Sequence, residues 1–168
     1  MDEHRVGLKP ILRKLWSLRG QRPIIPVQHR YEWLYLYGFV QPATGRNFWL
    51  ILPTVSIPAF STALAHFAHF LKTTTDAYAE LILDRAGWHT SPKVRWPITI
   101  RPDFLPPYSP ELQPAEHLWR LTDTPIYNQH FKTLDDLQTV LVNRCRWLES
   151  QLHLVRSATL FSWWSNFV

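Results

Sequence analysis

A lone cysteine, Cys145, leaves this chain without the thiols for a disulfide framework or a cysteine-based zinc cluster, and fits a reducing compartment. No stretch approaches the ~18 consecutive apolar residues that a membrane span requires. The opening residues, MDEHRVGL, are charged rather than a basic-then-apolar leader, so no secretion signal is visible. Excess charge is also missing from most of the chain. The net charge is +5, and residues 1–30 hold all of it, with seven Lys/Arg against Asp2 and Glu3. Residues 31–168 carry eleven charges of each sign.

What is present fits one domain with a proper core: 168 residues, 46% of them hydrophobic, with abundant Trp, Phe and Tyr that must mostly pack inside. The uneven charge has its own reading. A domain that carries its whole excess on one short segment presents that segment to a polyanion. Arg13, Lys14, Trp16, Arg19 and Arg22 mix cations with an aromatic ring, which suits phosphate contact plus stacking. The plain alternative is a solvated basic loop without a partner.

Residues 31–41 (YEWLYLYGFVQ) predict a strand, Pro42, Thr44 and Gly45 a turn, and 47–52 (NFWLIL) the return strand. Ser56 then caps a helix with Pro58 near its first turn. Its apolar positions Phe60, Leu64, Phe67, Ala68 and Leu71 recur at helical steps. Leu81–Leu83 reads as a buried strand running straight into Asp84. Six prolines between 97 and 114 forbid a regular helix there, with Ile98 and Ile100 predicting a short strand before Phe104. Pro114 suits a first helical position; Ala115, Leu118, Trp119 and Thr122 form the buried stripe and turn Glu116 to another face. Thr133 and Asp136 open a last long helix, whose inner face runs from Leu134 to Leu152. The tail LFSWWSNFV reads as a docked segment or partner contact.

Asp2, Asp84 and Glu116 thus stand at a strand start, a strand end and a helix start. Carboxylates delivered from three such elements can converge, and held together they repel unless a cation lies between them. Each has a plain alternative: Asp84 capping a turn, Glu116 serving a helix N-terminus, and Asp2 fraying at a chain end. Glu3 rivals Asp2, but strand alternation sends the two to opposite faces. His89 is a candidate neighbour of the site, able to approach a phosphate or to serve a structural bond. Arg85 and Lys93 flank it as candidate contacts to an anionic partner or as solvated charges. His66 and His69 lack a third ligand nearby and read as surface. Cys145 faces the core and lacks a base, so a thiol nucleophile is rejected.

Three motifs, DEHRVGLKP around Asp2, LDRAGWH around Asp84 and PYSPELQPAE around Glu116, resemble those of bacterial insertion-sequence transposases of the mariner superfamily. The resemblance extends over nearly the whole chain, including YGFVQPATGRNFWLILP, and the third motif is the most specific. Asp84 and Glu116 lie 32 positions apart, close to the family's interval. His4, Arg85 and Gln113 depart from the family pattern without removing a ligand.

The resemblance implies an α/β, ribonuclease-H-like fold: a mixed five-stranded sheet with an antiparallel hairpin and flanking helices, all within one DDE-type catalytic domain over 1–168. It implies catalytic and metal-ligating roles for Asp2, Asp84 and Glu116, with two Mg²⁺ ions as cofactor and Mn²⁺ as substitute. The implied reactions are phosphodiester hydrolysis and strand transfer, with mobile-element ends and target DNA as partners, in a homo-oligomer in the bacterial cytoplasm, without a membrane. Because the chain opens just before Asp2, the resemblance also implies a shortened first strand and a missing upstream helix-turn-helix region. The alternative it leaves is a non-catalytic DNA-binding remnant, or a half-protein needing an N-terminal fragment. A ribonuclease of the same fold is argued against by the proline loop.

Overall fold

The computed structural model describes residues 1–74 and 78–162. Three antiparallel strands come from the first third of the chain: β1 (Asp2–Gly7), β2 (Trp33–Gln41) and β3 (Arg46–Leu52), in the order β1-β2-β3. The hairpin is where its aromatic and apolar run predicts it. Gly45 at its turn has φ 75°, and a Cβ there would stand 2.0 Å from the Leu152 carbonyl oxygen, so both conformation and space require glycine. β4 (Ala79–Leu83) pairs in parallel with β5 (Ile100–Phe104). Pro102 lies opposite Leu81 and is tolerated because β5 is an edge strand, whose outer side owes no ladder bond. Ile98, expected in this strand, is 93% exposed and precedes it.

The strands form two sheets of three and two rather than one sheet of five. β1 begins its pairing at Asp2 opposite Gly38, and its edge meets β4 through the Met1 nitrogen, which donates to the Ile82 carbonyl at 2.8 Å. One such bond is not a ladder. Beside it a cavity of about 380 Å³ separates the ends of β2 and β4, lined by Phe39, Phe48, Phe67 and Phe70 among others.

Side-chain alternation along β2 gives each face its own layer. Tyr37 and Phe39 point to α1 (Ile57–Thr74) and pack with Phe60, Leu64, Leu81 and Leu83. Each such fully buried aromatic contributes about 2–3 kcal/mol of apolar burial. Leu36 points the other way, into a cluster with Trp49, Leu118, Trp119, Leu148 and Val155. That second layer consists of α3 (Trp119–Asp123), α4 (Leu134–Ser150) and α5 (Leu152–Thr159); a short helix α2 (Gly87–Thr90) follows β4.

Thr133 and Asp136 form the reciprocal capping box expected of α4. The expected single helix breaks at Gln151, whose ψ of 54° is not helical, and α5 begins after it. The helix expected at Pro114 begins as a 3-10 turn, Pro114–Leu118, before α3. Most of the aromatic tail, residues 163–168, lies outside the described residues.

Candidate active site

β1, the end of β4 and the Pro114 turn each carry one of the three acids. Asp2 is half-buried, and the indole nitrogen of Trp119 donates to its Oδ2 at 2.9 Å. Trp119 reaches that far because Gly38, the register partner of Asp2, has no side chain. A Cβ at Gly38 would lie 2.8 Å from the Trp119 ring. His4, on the same strand face, stacks on Trp119 with ring centroids 4.9 Å apart, and its Nε2 lies 2.9 Å from Asp123 Oδ1.

Asp84 follows β4, with its side chain 58% exposed. Its Oδ1 accepts from the Ala86 amide at 3.0 Å and from His89 Nδ1 at 2.6 Å, so it does cap a turn, while Oδ2 has no such bond among the described residues. His89 is 1% exposed, and its Nε2 stands 3.0 Å from Glu3 Oε1. A buried ring flanked by two carboxylates is satisfied as an imidazolium. Nε2 then donates to Glu3, and the Trp88 indole nitrogen, 3.1 Å from the same atom, is a close neighbour rather than its donor. Of the two readings of His89, the geometry matches the structural bond: the ring is sealed in the interior and holds Asp84 in place.

The charges are felt across the group. Burial pulls the His89 pKa down, but the bonds to Asp84 and Glu3 outweigh it and raise the group to about 9. The bond from His89 is the largest cause lowering the carboxyl of Asp84. Burial raises the carboxyl of Asp2, against the Trp119 bond. Glu116 is exposed; its carboxyl is raised by partial burial, then by the negative charge of Asp2, and further by Asp84, with His4 opposing. Asp2, Asp84 and Glu116 therefore share one electrostatic neighbourhood. They meet at Coulombic range rather than ligand range: among the described residues, no three His, Cys, Asp or Glu side chains stand close enough to grip one ion as they are.

Glu3, the rival of Asp2, is committed to His89, with its side chain 5% exposed. Gln113 does not cap the following turn with its side chain; its Nε2 donates to the Met1 carbonyl at 2.9 Å and ties the proline loop to the start of β1. Trp119, His4 and Gln113 are thus the positioning residues that sequence reasoning missed. The long-range partners that give them these roles carry no local signal.

The basic segment lies apart as an arm between β1 and β2. One end is pinned by Asn128, whose Oδ1 accepts from the Arg13 amide at 2.8 Å and whose Nδ2 donates to the Arg13 carbonyl at 3.0 Å. At the other end Gln28 Nε2 donates to the Leu8 and Phe131 carbonyls at 2.9 and 2.7 Å. Between these clasps Lys14, Trp16, Arg19 and Arg22 are exposed, and Arg13 lies over the Tyr127 ring at 4.9 Å. Arg85 is tethered by its Nε to the Leu105 carbonyl at 3.1 Å, and Lys93 is exposed.

The family model described as DDE superfamily endonuclease matches residues 1–138. The chain belongs to that family. As a DDE endonuclease chain it is 41% identical over 109 residues to the uncharacterized protein y4pE/y4sA of Sinorhizobium fredii, covering 64% of this chain and 78% of that one. Among solved structures, it is similar to the Mos1 transposase paired-end complex with the left transposon end, at a TM-score of 0.63 and 19% identity over 93% of this chain. It is also similar to the Mos1 paired-end complexes with Mn (TM-score 0.60, 17% identity, 95% of this chain and 55% of that one) and with Mg (0.62, 17%, 93% and 51%). The likeness establishes a shared α/β fold. This DDE endonuclease chain spans about half the length of those Mos1 chains, 51% in the first case. No described helix of it is long and apolar enough to cross a membrane.

Proposed function

We propose that this DDE endonuclease chain is the catalytic domain of a DNA transposase, hydrolysing phosphodiester bonds at mobile-element ends and transferring the freed strands into target DNA. The observation that carries this reading is the shared neighbourhood of Asp2, Asp84 and Glu116, in which burial first and then the charges of Asp2 and Asp84 raise the Glu116 carboxyl. Neighbouring Mos1 structures containing Mn and Mg support it.

The donor set fits a hard divalent cation. Asp84 Oδ2 and both oxygens of Glu116 have no hydrogen-bond partner among the described residues, and carboxylate oxygens are the ligands such ions prefer. Asp2, Asp84 and Glu116 would hold it, Glu116 swinging in from an exposed turn. When bound, one or two Mg²⁺ or Mn²⁺ ions supply a nucleophile of lowered pKa and charge to offset the leaving oxygen. The chain's own contribution is positional. His89 fixes the rotamer of Asp84, Trp119 fixes Asp2, and Gln113 holds the loop that carries Glu116 against β1.

The test is nicking of supercoiled DNA with Mg²⁺ or Mn²⁺ by the wild type, Asp84→Ala and Glu116→Ala. Metal-dependent nicking that disappears in both variants supports the reading. Nicking that persists in both variants removes the site.

A further inference from the structure

We infer that a groove between α1 and the loop after α2 is a second nucleic-acid contact, a seat for the phosphodiester backbone of DNA, built from Lys93, Arg95 and His66 with the hydroxyls of Ser61 and Thr62. This rests on the DNA-cutting reading above and adds to it a surface outside the acidic site and outside the basic arm. The groove encloses about 760 Å³. Its rim carries Lys93 and Arg95 from the loop and His66 from α1, all exposed, and no carboxylate lines it.

The sequence around it is depleted of acid in the same way. Neither α1 (Ile57–Thr74) nor residues 85–102 contain an Asp or Glu, whereas residues 85–102 contain Arg85, Lys93, Arg95 and Arg101. A positive field without offsetting carboxylates attracts a polyanion. The wall is also built. The Arg95 amide donates to Ser61 Oγ at 3.2 Å, clasping loop to helix.

The position couples the groove to the acids. Trp96 in its floor meets Phe60 edge-on at 5.7 Å, and Phe60 packs against His89 at 4.6 Å. His89 in turn holds Asp84. Groove and acidic site are therefore joined through one packed aromatic wall, Trp96, Phe60 and His89. Cations and hydroxyls, with Trp96 half-buried, suit backbone contact rather than base readout.

The experiment is a titration of the full chain with a short mixed-sequence DNA duplex, in EDTA so that no cutting occurs, over a range of salt. Wild type, Lys93→Gln/Arg95→Gln, the charge-keeping Lys93→Arg/Arg95→Lys and a control Arg156→Gln are compared, with thermal midpoints confirming folding. We expect the neutralising pair to weaken binding about tenfold or more and to reduce the slope of log K against log salt by about 2, near 0.9 for each phosphate no longer neutralised. The charge-keeping pair and Arg156→Gln should retain the wild-type slope. Wild-type binding with an unchanged slope in the neutralised pair overturns the groove and leaves the nuclease reading standing. A wild type that binds no DNA overturns both. Polyglutamate that depends on Lys93 and Arg95 where the duplex does not would assign the groove to an acidic peptide and overturn the inference as well.

Discussion

His89 joins Asp84 to Glu3, donating from Nδ1 at 2.6 Å to the first and lying 3.0 Å through Nε2 from the second. The two carboxylates differ sharply in exposure, 58% for the Asp84 side chain and 5% for that of Glu3. Removing the ring therefore frees Asp84 into solvent but strands Glu3 as a buried, unpaired charge. His89→Ala is expected to cost about 3 kcal/mol, the scale for breaking a buried pair. Adding Glu3→Gln should recover part of it, because the orphaned charge is gone. Urea unfolding of the two singles and the double checks this; strictly additive losses would show that the residues are not coupled.

The same pair sets a pH dependence whose sign follows from linkage. The His89 pKa is raised to about 9 in the folded chain from an ordinary 6.5, so its contribution is fully present below 6.5. It is lost as pH climbs through about 9. The difference in unfolding free energy between wild type and His89→Gln should shrink by about 3 kcal/mol between those limits. Asp84 runs the opposite way: with its carboxyl lowered, its contribution holds above the ordinary carboxylate range and is lost as acid is added. A gap between wild type and His89→Gln that widens from pH 6.5 to 9 would contradict the assignment.

Much of this was legible in the chain, for reasons that differ by element. The hairpin, α1, β4 and the α4 capping box rest on short-range patterns, and these predict the elements to within a few residues. Alternation also separates Asp2 from Glu3 correctly, since neighbouring strand residues face opposite ways. What escaped is long-range. The contact of Glu3 with His89 spans 86 positions and that of Trp119 with Asp2 spans 117. At sequence level Trp119 is only one more apolar position in a stripe. The split of the sheet escaped too, because strand patterns fix neither the number of rungs nor where two edges part. The groove cations lay in plain view, but their partner surface on α1 is supplied by folding.

Gly38 couples packing to the site. Alanine there would place Cβ 2.8 Å from the Trp119 ring, closer than real contacts allow, and a tight 3.0 Å from that of Trp49. Gly38→Ala should destabilise by about 1–3 kcal/mol, the range for overpacking a core. It should also push the Trp119 indole off Asp2 and so reduce metal-dependent nicking. Trp119→Phe, in the background of Gly38→Ala, should restore stability without restoring nicking, because Phe has no N–H for Asp2. Recovery of both together would mean that the indole bond has no positioning role.

The arm between β1 and β2 should act as a separable electrostatic contact. Its clasps at Asn128 and Gln28 use backbone carbonyls and amides, so changing exposed cations leaves them intact. Neutralising Arg13, Lys14, Arg19 and Arg22 should leave the thermal midpoint nearly unchanged. It should flatten the salt dependence of DNA binding by up to about 0.9 for each phosphate that the arm ceases to neutralise. An unchanged slope would reduce the arm to a solvated loop.

Glu116 offers a test in which stability and function move in opposite directions. Its carboxyl is raised by burial and by Asp2 and Asp84, so ionising it in the folded chain works against its neighbours. For an acid raised in this way, the folded state loses stability relative to the unfolded as pH rises through the ordinary carboxylate range. Glu116→Gln removes that repulsion while keeping shape, so the metal-free variant should melt no lower than the wild type, and slightly higher at pH 7 than at pH 4 relative to it. Screening at an exposed side chain keeps the gain small. Magnesium should reverse the order: in the wild type it replaces repulsion with attraction and raises the midpoint, whereas the variant lacks a ligand and responds weakly. Calorimetry with EDTA and then with Mg²⁺ reads both effects on one sample. Equal magnesium shifts in the two proteins would place the cation away from Glu116, and destabilisation of the metal-free variant would show that this carboxylate serves the fold rather than the chemistry.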